Sequence, residues 1–181
     1  MMKREYLQID VYNALQDRLE FLFQEFENIY VSFSGGKDSG LLLNLLMDYK
    51  REYYPDRTIG VFHKDFEAQY TVTTEYITRT FEHFLPEIEP YWVCLPMATR
   101  TALSSYEMFW YPWDDTKQEL WVRPMPDYPY VVNLNHPFTH YRYRMPQEDL
   151  AKQFSRFYKE QHGNGKTVCL LGLRADESLQ R

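Results

Sequence analysis

From Asp10 to about Phe26 the apolar residues Val11, Leu15, Leu19, Leu22 and Phe26 return every three or four positions, with Gln16, Asp17, Arg18 and Glu20 between them. That spacing predicts an amphipathic helix. The short β-prone run Ile29-Tyr30-Val31-Ser32-Phe33 then passes through Ser34-Gly35-Gly36 into the dense apolar stretch Leu41 to Met47, which reads as strand, tight loop and buried helix. Thr58 to His63 is a second strand, and Val72, Tyr76, Ile77, Phe81 and Phe84 mark a helix ending near Pro86. Tyr91 to Leu95 is a third strand. Much later, Leu150, Phe154, Phe157 and Tyr158 define a helix over 147–161, followed by the turn His162-Gly163-Asn164-Gly165 and the strand Thr167 to Leu171. Strands alternating with helices predict the α/β class, a parallel sheet of about five strands with helices on both faces and a ligand crevice at the strand C-termini.

The rhythm breaks between Trp110 and Pro146. Six of the ten prolines and three of the four tryptophans fall in this segment, and its aromatic content predicts an ordered insertion at about 110–146 rather than a disordered one. A length of 181 residues predicts a single domain spanning 1–181. The formal charge of −6 gives no general attraction to nucleic acid or to an anionic membrane. The start, Met1-Met2-Lys3-Arg4, has no apolar signal stretch, and no run reaches the ~18 apolar residues that span a bilayer, so a cytoplasmic protein without a membrane partner is expected. Cys94 and Cys169 lie far apart within apolar runs and read as small buried hydrophobes, with no metal centre expected.

Chemistry concentrates in Ser34-Gly35-Gly36-Lys37-Asp38-Ser39. A glycine pair between strand and helix lets the backbone turn sharply and aims several N–H groups at one point before the helix N-terminus, where the dipole favours an anion. Lys37 adds a full positive charge, and the hydroxyls of Ser34 and Ser39 can donate to phosphate oxygens. Asp38 would repel a phosphate unless it points away, caps the helix or helps to hold Mg²⁺. The hexapeptide departs from Walker A and resembles the PP-loop, Ser-Gly-Gly-x-Asp-Ser, of the ATP pyrophosphatase and phosphoadenosine phosphosulfate (PAPS) reductase superfamily, also called adenine nucleotide alpha-hydrolase-like. At the far end, Gly172-Leu173-Arg174-Ala175-Asp176-Glu177-Ser178 resembles the Gly-x-Arg-x-x-Glu-Ser motif of PAPS reductases.

The resemblance implies an adenine nucleotide, ATP or PAPS, as ligand, with Mg²⁺ where ATP is used. Lys37 and Arg174 would be the catalytic cations, and Ser34 to Ser39, Asp65, Arg174, Glu177 and Ser178 the binding residues. Asp65 is the one residue of His63-Lys64-Asp65-Phe66-Glu67 that aligns with the family's Asp-Thr-Gly. The segments Asp65 to Tyr70, Trp110 to Asp114 and Trp121 to Pro126 look closest to the PAPS reductase-like co-activators of immunoglobulin-binding protein expression. Family reductases use a Cys from a C-terminal segment beyond the second motif. This chain stops three residues after Ser178, so a lacking C-terminal region is expected, and sulfonucleotide reduction by these residues alone is not.

Two function classes follow. One is an enzyme handling PAPS or ATP by sulfonucleotide reduction or by adenylyl transfer with pyrophosphate release. The other is a catalytically inactive nucleotide-sensing or partner-binding module, with the aromatic insertion as its docking surface. Within the insertion, His136, His140, Arg142 and Arg144 alternate with Phe138, Tyr141 and Tyr143. That composition suits nucleic acid, but on an acidic chain it reads first as a solvated face over a small aromatic core. Trp110, Trp113 and Trp121 read as packing.

Overall fold

A computed structural model describes residues 8–173. Helix α1 (Val11–Glu25) is capped by Asp10, whose carboxylate accepts the Asn13 N–H at 2.8 Å. There follow β1 (Asn28–Ser32), α2 (Lys37–Tyr53), β2 (Ile59–Lys64), α3 (Thr71–Phe84) and β3 (Ile88–Val93). A long excursion carries β4 (Thr99–Arg100), β5 (Phe109–Trp110), a 3₁₀ turn at Asp115–Leu120 and β6 (Val131–Val132). Helix α4 (Gln147–Gln161) and β7 (Thr167–Leu171) complete the described chain.

Five strands form one sheet in the order β6-β3-β2-β1-β7, and every pairing is parallel. Both faces are covered, so the strands alternate between two cores rather than between core and solvent. Ile29, Val31, Ile59, Val61 and Trp92 pack with Leu19, Phe23, Leu43, Leu46, Ile77 and Phe81 from α1, α2 and α3. Tyr30, Phe62, Tyr91 and Val93 face Leu150, Phe154, Phe157 and Tyr158 of α4. The second core absorbs much of the aromatic surplus: Phe154 stacks on Phe62 at 4.1 Å and meets Tyr91 edge-on at 5.0 Å. Among the described residues no helix is long and apolar enough to cross a membrane.

Two expectations are corrected here. The third strand begins at Ile88, not Tyr91, and includes Pro90. Proline is tolerated there because β6 pairs only with Trp92 and Val93, which leaves Pro90 with a sheet neighbour on the β2 side alone. The excursion also begins earlier than Trp110. It is closed at its base by Ala98 and Pro146, where the Ala98 N–H donates to Met145 O at 2.9 Å and the Gln147 N–H to Ala98 O at 3.3 Å. Midway it returns to the sheet, and Val131 and Val132 supply the fifth strand.

Candidate functional site

β1 lies between β2 and β7, and the chain runs from β1 through α2 to one side and reaches β7 through α4 on the other face. This reversal opens a crevice at the C-terminal ends of β1 and β7, the position where open α/β sheets hold their ligands. The Ser34–Ser39 loop leaves β1 at that crevice. Gly35 has φ of +77°, a left-handed conformation that a side chain would strain, and Gly36 stands at the N-cap of α2 with no side chain to offer the first-turn N–H groups. A β-carbon on Gly35 would lie 2.8 Å from the Ile77 side chain, so α3 seals the loop from one flank. From the other flank, a β-carbon on Gly172 would lie 2.7 Å from Asp38 C and Ser39 N. The start of the second motif is therefore pressed against the first turn of α2.

Within the loop the two serines differ. Ser39 is buried; its hydroxyl donates to Gly36 O at 3.0 Å and lies 2.9 Å from Ser34 Oγ. Its single proton is engaged in holding the turn. Ser34 is exposed, its Oγ accepts the Gly36 N–H at 3.2 Å, and it can redirect its own proton to a ligand. Lys37 is exposed at the mouth of the crevice. Asp38 sits in the first turn of α2, where a carboxylate complements the helix dipole. Arg174, Glu177 and Ser178 lie outside the described residues.

Asp65, expected among the binding residues, is enclosed by protein donors. Its carboxylate has no exposed surface: both oxygens lie 2.6 Å from Arg123 Nη2, Oδ1 accepts the Glu67 N–H at 2.7 Å, and Oδ2 accepts Trp92 Nε1 at 2.6 Å. It holds Arg123 and Trp92 in the interior and offers no oxygen to solvent. Next to it Glu67, at a left-handed φ of 62°, accepts the Trp113 and Val122 N–H groups at 2.8 and 3.0 Å. Trp113 Nε1 donates to Asp65 O at 3.1 Å, and the Arg123 guanidinium lies 4.9 Å from the Trp113 ring. Two carboxylates after β2 thus clamp the excursion onto the sheet. The sequence held one signal of this, an acid at every second position after a strand, but nothing in it linked those acids to Arg123.

His63, at the end of β2, is fully buried, and its Nδ1 hydrogen-bonds Phe33 O at 2.8 Å, tying β2 to the residue before the loop. A carbonyl can only accept, so Nδ1 carries the proton. Burial pushes the imidazole below its ordinary value of 6.5, against the opposing pull of Asp65. A folded value below the unfolded one means the unfolded chain binds the extra proton first, so this stabilisation is present above about pH 6.5 and is lost as pH falls below it. The slope for one such group is up to about 1.4 kcal/mol per pH unit. The urea midpoint should fall between pH 8 and pH 5.5, and the fall should be smaller in His63→Gln; an equal fall in both proteins would place the sensitivity elsewhere.

The basic-aromatic segment is engaged in packing. Arg144 pairs with Asp114 at 2.7 Å and lies 4.6 Å from the Tyr111 ring, and His140 Nε2 is 2.6 Å from Glu160. Burial alone would raise the Asp114 carboxyl, but hydrogen bonds from Thr116 and the charge of Arg144 hold it below the usual range. Both thiols are pushed up by burial, Cys94 well above its ordinary value, though Cys169 is only half-buried where full burial was expected.

A cavity of about 650 Å³ lies on the excursion and is lined by none of the loop residues. Glu67 and Ala68, just past the C-terminal end of β2, form its wall nearest the sheet.

The chain is similar to a protein of Escherichia coli (strain K12). The two are 32% identical over 176 residues, which is 97% of this chain and 41% of the relative, whose printed name is "Uncharacterized protein YbdN". This chain therefore spans about two fifths of that protein's length. An alignment of 176 residues runs over both the Ser34–Ser39 loop and the excursion. No family model matches the chain.

Proposed function

We propose that the chain binds an adenine nucleotide at the crevice between β1 and β7, with the phosphates on the Ser34–Ser39 loop and Lys37 as their cation. The observation that carries this reading is the placement of a side-chain-free N-cap, Gly36, at the point where the strand order reverses, with Gly35 in a conformation that strains any other residue. Such a terminus offers converging N–H donors and a dipole to an anion without a competing cap. The PP-loop resemblance names adenine nucleotides as the ligand class, and Arg174 would be the second cation.

The ligand class holds ATP and PAPS together, and the cysteines of this chain do not choose between them. Sulfonucleotide reduction needs a thiolate, which family reductases take from a C-terminal segment beyond the second motif; the chain's two cysteines are both held as protonated thiols by burial. Adenylyl transfer with pyrophosphate release asks only for phosphate-binding cations and an acceptor, with Mg²⁺ carried in on the nucleotide.

The test is calorimetric titration with ATP, AMP, PAPS and 3′-phosphoadenosine 5′-phosphate, each with and without Mg²⁺. Binding of at least one of these nucleotides is expected, and Lys37→Ala should weaken it by roughly ten- to a hundredfold, the worth of a charge-assisted contact. Equal binding by the variant would remove the loop from the site. Mg²⁺-dependent ATP binding would favour adenylyl transfer, and tighter metal-free binding of the 3′-phosphorylated nucleotides would favour PAPS.

A further inference from the structure

Three buried carboxylates stand where the excursion meets the sheet, Asp65 and Glu67 just after β2 and Asp114 in the excursion, and their counter-charges are unequal. Asp65 has Arg123 at 2.6 Å and Asp114 has Arg144 at 2.7 Å. Glu67 is 5% exposed, accepts two backbone N–H groups, and has no cationic partner among the described residues. A buried carboxylate without a positive charge is costly, and two amide donors leave half of its lone pairs unused. Glu67, just past the central strand β2, also lines the cavity.

The other walls of that cavity fit the missing charge. Trp110, Tyr111 and Trp121 line it, together with Phe109. Aromatic faces carry negative quadrupole density and attract an ammonium group, most strongly where water is thin. The same chemistry already operates on this wall, since the Arg144 guanidinium lies against Tyr111. Asp114 is already balanced by Arg144, Glu107 adds negative charge and Lys117 a single positive one, so with Glu67 the lining is net acidic. A volume of about 650 Å³ lies in the range of small-molecule sites.

We infer that this cavity binds a small organic cation, an ammonium group on a short carbon body, with Glu67 as its counter-ion and Trp110, Tyr111 and Trp121 as its aromatic cage. The ammonium completes the buried ion pair that Glu67 lacks, and the carbon body covers the apolar wall. The inference does not depend on nucleotide binding, because no residue of the Ser34–Ser39 loop lines the cavity.

The probe is choline, set against its neutral isostere 3,3-dimethylbutan-1-ol and the anion 3,3-dimethylbutyrate. The chain has four tryptophans, so the indole N–H region of a ¹⁵N spectrum reports the cavity directly. Choline should shift the Trp110 and Trp121 signals saturably, and the neutral isostere should bind at least about tenfold more weakly, the usual worth of a partly desolvated cation–π and ion-pair contact. Glu67→Gln should remove most of that preference. Because Glu67 also holds the excursion, Trp110→Leu is the companion variant: it leaves the clamp intact and should weaken choline by about tenfold while Trp92 stays unmoved. Equal binding of choline and its isostere, preference for the anion, or no saturable shift up to tens of millimolar would each overturn the inference.

Discussion

Asp65→Ala should lower the unfolding free energy by about 3–5 kcal/mol, the cost of breaking a buried ion pair by removing one partner. The side chain is fully enclosed and receives four donor contacts, from Arg123, the Glu67 N–H, Trp92 Nε1 and the Cys94 thiol at 3.8 Å. Removing it strands the Arg123 guanidinium, which is only 20% exposed, and leaves Trp92 Nε1 without an acceptor. The loss should not be local. Arg123 also donates to Glu67 O at 3.0 Å and lies against Trp113, so the excursion should loosen from the sheet along with the ion pair. Urea unfolding followed by tryptophan fluorescence measures both. A loss below about 1 kcal/mol would mean that the cluster is surface-like and that the excursion is held by apolar packing alone.

Gly35→Val is expected to have the second large effect, on stability and on nucleotide binding together. A non-glycine residue in the left-handed region costs about 1–2 kcal/mol. The new β-carbon would also lie 2.8 Å from Ile77 Cδ1 and 3.0 Å from Thr73 Cγ2, an overlap worth about 1–3 kcal/mol if the loop and α3 move apart to relieve it. Adding Ile77→Ala should recover the second part and not the first. Nucleotide binding should be lost in both Gly35→Val proteins, because a shifted turn no longer aims its amides at one point. Retention of binding in the double variant would show that the loop tolerates a normal φ and that its geometry is not what holds the phosphates.

The contrast between these two sites marks what sequence can carry. Gly35 was legible because its neighbours are its context: a strand before, a helix after and a six-residue pattern between. The same holds for α1 and α4, whose apolar spacing is complete within each helix, and for the strands Asn28–Ser32 and Thr167–Leu171. Asp65 was named as a binding residue because it aligns with the family's Asp-Thr-Gly, and that alignment says nothing of what its side chain touches here. Its real partner, Arg123, lies 58 positions away in a segment with no periodicity. β6 was missed for a related reason. Two valines are too few to show alternation, and their place in the sheet is decided by Trp92 and Val93 across the gap rather than by their own flanks. For Ser39, composition does not show that its proton bonds Gly36 O.

The order of the strands has a kinetic consequence. β1 precedes the candidate phosphate loop, yet one of its two partners is β7, and Asn28 meets Thr167 across 139 residues. During synthesis β1, β2 and β3 can assemble early, with α2 and α3 packed on one face. The other flank of β1 remains uncovered until the excursion has looped out, α4 has formed and β7 has emerged. Loop closure over that distance is entropically slow, and parallel pairings of high sequence separation fold late. The crevice is therefore among the last features of the chain to be built, and a ligand that stabilises it acts on the final step of folding rather than on its nucleus.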